Sequence, residues 1–471
     1  MVFSSMEFLF RFLPLFLLIY FVTKPKYRNI VLLLGSLVFY AYGEPVYVFL
    51  MMFSIVFNYS VARRIKRFYD IEVYSEIDCS FERNCWLAVA MVFDFGMLFV
   101  FKYINFFIEI INTAAGTKIF DDVAVTLPLG ISFYTFQCIS YLADVYRKKI
   151  CAERSLLMIG TYLTMFPQLV AGPIVTYPEV HDQLISRKFN IKQLARGFAV
   201  FSVGLGYKVL LADRIGGLWS SVVSIGADSI SVPLAWMGAF SYTFKIYFDF
   251  CGYSVMAVGL GKMLGFRLPQ NFRLPYMAKT MTNFFRRWHI TLGAFFREYV
   301  YIPLGGNRRG YLRMFFNLLV VWLLTGLWHG AGWNFILWGA VIFVLIAAEK
   351  LGAGKFLETH PAAGHLYMIL VVPLTWIIFA CENMTQLKTY MGRLFGAPTD
   401  GVIFRGDFIK YGKQYGLLFI ACIIFSTPLP RRLLMRIKNK YVRYALISAV
   451  FVLSVICLQK SSSDPFMYFR F

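Results

Sequence analysis

FFNLLVVWLLTGLWHGAGWNFILWGAVIFV, residues 315–344, carries one ionisable side chain, His329, inside an apolar run of about thirty residues. That is the length of one tilted or two closely spaced membrane spans. An imidazole at membrane depth costs free energy unless it faces a polar cavity or finds partners, so it marks a candidate functional site by default. Trp328 and Trp333 flank it, and Gly326, Gly330 and Gly332 leave room for a neighbouring backbone or a substrate to come close.

The rest of the chain sets the same scene. Of 471 residues, 59% are hydrophobic and 15% charged, with a mean hydropathy of +0.63. A soluble globule of this size has no way to bury so much apolar surface, which implies an all-α polytopic membrane protein. The formal charge of +22 fits lysines and arginines held in cytoplasmic loops and gives no reason to expect nucleic acid as a partner. The eight cysteines, 79, 85, 138, 151, 251, 381, 422 and 457, show no Cys-x-x-Cys spacing, so neither a disulfide framework nor a metal is expected, and Cys79 and Cys85 read as free thiols in a shared polar loop.

Taken in order, apolar runs at about 6–22, 29–42 and 46–62 alternate with basic loops at 24–28 and 63–67. Two basic loops two crossings apart belong on the cytoplasmic side, which puts the N-terminus outside as the start of a retained first span. Further spans are expected at about 86–111, 127–146, 197–217, 234–261, 366–382, 414–428 and 442–458. Between basic loops, 156–175 carries FPQLVAGPI, whose prolines and glycine break a helix, and it reads as a re-entrant piece or broken hairpin. The total is about twelve spans in one integral-membrane domain, 1–471. Residues 262–313 interleave ten lysines and arginines with aromatic and aliphatic residues and a single acid, Glu298, a pattern that suits helices at the cytoplasmic interface with basic faces toward headgroups or an anionic substrate.

Five histidines are present. His181, His360 and His365 fall in polar loops and read as solvated side chains; His289, in RRWHITL, is open to a structural or a functional role. Lys245 and Asp249 stand four residues apart and are expected to pair on one helix face. A neutral imidazole such as His329 accepts the proton of a hydroxyl as it attacks an acyl carbonyl. No Gly-x-Ser-x-Gly elbow accompanies it. One base, with Trp333 and Asn334 as nearby hydrogen-bonding groups and an aromatic shell, suits transfer between two bound partners with water shut out. A proton-coupled transporter using His329 as a relay, with broken helices at 166–174, fits the same features, as does a scaffold of an envelope-modifying complex.

LPLGISFYTFQ (127–137), LADVYR (142–147), FPQLVAGPI (166–174), FDFCGYSVMAVGLGKMLGF (248–266), LPQNF (268–272), FFRRWHITL (284–292), YIPLGGNRRG (301–310), LTGLWHGAGWNFILWG (324–339) and the terminal DPFMYFRF together resemble the membrane-bound O-acyltransferase family, in its bacterial branch typified by alginate O-acetylation. The motif-bearing core is about 127–340. The resemblance implies helices around a central tunnel, with His329 at the family's intramembrane catalytic histidine and His289 at its second, cytoplasm-side position. It further implies residence in a bacterial cytoplasmic (inner) membrane. No tightly bound cofactor is expected; the implied donor is acetyl-CoA or an acyl carrier thioester on a carrier protein, and Arg286, Arg287, Arg308 and Arg309 would attract such an anionic donor or, equally, bind anionic lipid. The acyl group passes outward to a polysaccharide acceptor or an extracytoplasmic acyltransferase. Trp328, Trp333 and Asn334 would form the site wall. D-alanyl transfer to teichoic acid from a thioester carrier protein is the nearest variant of the same chemistry. Asparagine or another polar residue often stands at the second position elsewhere in the wider superfamily, so His289 favours the bacterial branch.

Overall fold

The computed structural model describes residues 1–169, 172–187, 190–399 and 401–460, and every regular element among them is helical. Eight helices are long and apolar enough to cross a membrane, from Tyr47–Ser75 to Lys440–Lys460, with Phe8–Val22 as a shorter apolar helix. The count of about twelve drawn from the sequence also included Ile131–Tyr146 and Val232–Leu264, which form as helices but are not among those eight.

The chain divides into two compact units, 1–197 with 257–269, and 198–256 with 270–471. In the first, Ile131–Tyr146 is buried on nearly all sides, which is why its sequence shows no polar face. Phenylalanines 8, 12, 16 and 39 converge on Phe166, with ring centroids 5.2–6.3 Å away. Arg187 ties the unit together: it donates to Asn29 Oδ1 at 2.7 Å and to the Tyr20 hydroxyl at 3.1 Å, and its guanidinium lies 4.5 Å over Phe266. The helix Leu156–Thr164 stops at Met165, and helix resumes at Phe166–Leu169. The break thus falls at Met165, one residue before the FPQLVAGPI stretch, and Pro167 sits in the first turn of the helical piece that resumes; Val170 and Ala171, and the DPFMYFRF ending, lie outside the described residues.

The second unit holds both histidines of interest. Residues 315–344 are two helices, Gly310–His329 and Trp333–Ala348, joined at Gly330–Gly332. Glycine makes this hairpin close: a Cβ on Gly326 would lie 2.2 Å from the Phe335 carbonyl oxygen, and one on Gly339 would lie 2.4 Å from that of Trp322. The close neighbour is thus backbone.

A second buried polar centre was hidden from sequence spacing. The helix Ile191–Gly206 runs through a π turn, Tyr207–Ala212, into Asp213–Ile225. There Lys208 Nζ donates to Asp213 at 2.6 Å and meets Asp249 at 2.8 Å. Asp249 thus has Lys208 of another helix as a partner, beyond the same-helix pairing its spacing to Lys245 suggested. Gly216 leaves the room that the Lys245 stem fills.

Three local expectations change. Cys85 lies within the helix Ser80–Leu98 and Cys79 is buried just before it, both thiols free. His181 sits on the helix Tyr177–Ile185, 3.1 Å from Asp182, and His365 lies within Pro361–Ala380, so neither is a loop residue.

Candidate active site

The segment 271–301 reaches its shape through side chains that serve backbone groups. Thr280 Oγ1 accepts the Asn283 N–H at 3.1 Å and starts the short helix Met281–Phe285. Asn271 then clamps the turn carrying His289: its carbonyl accepts from Ile290 N–H at 3.1 Å, and its Oδ1 accepts from Thr291 N–H at 3.1 Å and the Thr291 hydroxyl at 2.8 Å. Between these bonds His289 adopts left-handed backbone angles, φ 45° and ψ 54°, a conformation costly for a non-glycine residue and held only where the surroundings fix it.

His289 is 3% and His329 4% exposed. Among the described residues neither ring nitrogen of His289 bonds to another residue, and burial lowers its imidazole to about 3, so it is neutral at physiological pH. Its ring meets Phe250 edge-on at 4.7 Å. His329, the last residue of its helix, is boxed by Trp338 at 5.3 Å and Phe379 at 5.1 Å. Trp328 touches both imidazoles, 5.6 Å from His289 and 4.9 Å from His329.

One cavity of about 460 Å³ is lined by both histidines. Arg286, Arg297 and Lys350 also line it, with Thr325 and Tyr301 as further polar groups and Trp288, Trp322 and Trp338 among its apolar walls. A larger cavity of about 540 Å³, beside Tyr276, Met368 and Phe419, has no histidine, acid, lysine or arginine in its lining. Convergent ionisable groups in an apolar shell make the smaller one the candidate site.

Several residues expected at the site lie elsewhere. Arg287 donates to Asn283 Oδ1 at 2.5 Å and does not line the cavity. Arg308 and Arg309 are exposed on the turn that follows Tyr301. Trp333 is 53% exposed, outside the shell it was expected to join. Asn334 is buried but donates to the Phe379 carbonyl at 3.1 Å, holding one of the rings beside His329. Arg297 and Lys350 were missed as a pair. Arg297 follows Arg286 by eleven residues, about three helical turns on an unbroken helix; Lys350 gave no signal, since it merely follows a long apolar run. Among the described residues no group of three or more histidines, cysteines or acids is placed to hold a metal.

A set of long apolar helices with two buried imidazoles opening on one cavity defines a multi-pass membrane protein with a candidate transfer site in its interior. Residues 152–385, which include both histidines, match the membrane-bound O-acyltransferase family. The chain is 34% identical, over 100% of both lengths, to the "Probable alginate O-acetylase AlgI" of Pseudomonas putida. It is also 34% identical to the "Peptidoglycan O-acetyltransferase" of Helicobacter pylori over 83% of this chain and 79% of that one. A more distant relative, the "Teichoic acid D-alanyltransferase" of Bacillus subtilis, is 27% identical over 46% and 58% of the respective chains. The chain belongs to the membrane-bound O-acyltransferase family and is an O-acyltransferase.

Proposed function

We propose that this enzyme moves an acetyl group from a cytoplasmic donor, acetyl-CoA or an acyl carrier thioester, toward an extracellular polysaccharide or a partner transferase. The whole chain acts as one integral-membrane domain of about twelve spans in a bacterial cytoplasmic membrane, with its N-terminus outside. His329 is the general base. It takes the proton of the acceptor hydroxyl as that oxygen bonds to the thioester carbonyl carbon; the C–S bond then breaks and the leaving thiolate recovers the proton. His289, neutral and facing the same space, orients the donor at the inner mouth. Arg286, Arg297 and Lys350 supply the positive charge that an anionic donor needs, and arginine matches phosphate geometry.

The single observation that supports this is the shared cavity: two buried imidazoles and three cations face one space walled by indoles. D-alanyl transfer from a carrier protein draws on the same chemistry, but the teichoic acid relative is the more distant one. Supplying each donor and identifying the acyl group on the product separates the two. His329→Ala abolishes product acetylation while the protein still inserts in the membrane; acetylation retained at the wild-type rate removes His329 from the mechanism.

A further inference from the structure

We propose that Glu349 is a positioning residue that sets where Arg286 and His289 stand relative to His329. It rests on the reading of the shared cavity as the transfer site. Glu349 opens a π turn, Glu349–Ala353, at the end of the helix Trp333–Ala348, and such turns are frequent where a helix must re-aim side chains. Its carboxylate is 6% exposed and fully engaged. Oε1 accepts from Met281 N–H at 2.5 Å and from the Tyr367 hydroxyl at 3.3 Å; Oε2 accepts from Thr282 N–H at 2.8 Å and the Thr282 hydroxyl at 2.6 Å.

The two amides are the first two of the helix Met281–Phe285 and have no partner within that helix. Arg286 follows this helix directly, and His289 comes three residues later. Nearer its start the same helix meets His329: Trp338 approaches that imidazole at 5.3 Å, and Gly339 locks against the Trp322 carbonyl. Eleven residues separate Trp338 from Glu349, about 16 Å of helix. One helix therefore touches His329 through Trp338, which also packs against Phe285 at 5.9 Å, and at its end grips the segment bearing His289 through Glu349. The next residue, Lys350, faces the cavity itself. Loops alone rarely hold a reacting pair to the required tolerance; a carboxylate with four donors on a span does.

Glu349→Gln keeps the Oε1 bonds but turns an NH₂ group toward the two Thr282 donors; Glu349→Ala removes all four. Full-length variants in proteoliposomes are assayed for acetyl transfer from acetyl-CoA per folded enzyme, and amide hydrogen exchange is followed over 281–289. Expected are a fall in kcat of roughly tenfold or more for Glu349→Gln, a rise in donor KM because Arg286 moves with the segment, and faster exchange confined to 281–289. A role in global stability alone would lower the yield of folded protein while leaving KM and the local exchange pattern as in the wild type. Should Glu349→Ala fail to fold, Glu349→Gln carries the test. The proposal is overturned if either the kinetics or the 281–289 exchange of Glu349→Gln stays within twofold of wild type. His329→Ala is assayed in parallel: activity there would overturn the transfer site itself, whereas an inactive His329→Ala beside an unaffected Glu349→Gln would overturn only the positioning role.

Discussion

Two of the buried polar centres in the second unit are built in opposite ways. At Lys208, Asp213 and Asp249 a cation is matched by carboxylates at 2.6 and 2.8 Å. At His289 and His329, imidazoles are walled by indole and phenyl rings and open onto a cavity that also collects three cations. The first centre is complete within the protein and does structural duty, because breaking a paired buried charge costs far more than keeping it. The second opens on a cavity of about 460 Å³. Burial of ionisable groups is common to both; what distinguishes the second is that it opens on a cavity lined by further ionisable groups.

That contrast predicts different responses to substitution. Lys208→Met, which leaves two carboxylates without their cation, destabilises the protein by about 3–5 kcal/mol, read as a lowered unfolding midpoint in detergent. His329→Gln shifts the same midpoint far less. A larger loss at His329 than at Lys208 would reverse the assignment of the two centres.

At the cavity, Arg297→Ala and Lys350→Ala each raise donor KM by about tenfold, the equivalent of roughly 1.4 kcal/mol for a lost charge-assisted contact. Arg308→Ala, on the exposed turn, leaves donor KM unchanged. Steady-state kinetics with acetyl-CoA as varied donor distinguishes these outcomes.

At neutral pH the smallest effect belongs to His289. Its folded-state pKa lies near 3 because burial disfavours the charged form, below the ordinary histidine value of about 6.5. The unfolded chain therefore binds the extra proton throughout the window between those values, and stability falls as pH drops through it, being complete above about 6.5. His289→Asn removes this contribution, so its unfolding midpoint depends less steeply on pH between 4 and 6.5 than that of the wild type.

Much of this was legible in the sequence. The apolar run with one imidazole gave the hairpin and its candidate base, and the alternating apolar and basic stretches gave an all-helical membrane protein. The histidine pair came from motif resemblance, since nothing in local spacing joins residues forty positions apart. Other features depended on tertiary placement. Arg287 and Arg286 are adjacent in sequence, yet one bonds Asn283 and the other faces the cavity, because successive residues leave a helical turn in different directions. Trp333 looked like a wall beside His329, but the break at Gly330–Gly332 turns it outward, and Trp338, one further turn along, takes that place. The partnership of Lys208 with Asp249 spans two helices, beyond the reach of any i,i+4 rule.

The most direct test of the account is a structure of the full-length protein with a non-hydrolysable acetyl-CoA analogue. The thioester carbonyl is expected within hydrogen-bonding reach of His329 in the 460 Å³ cavity, with donor phosphates on Arg286, Arg297 or Lys350. An analogue seated in the 540 Å³ apolar cavity, with both imidazoles untouched, would contradict it.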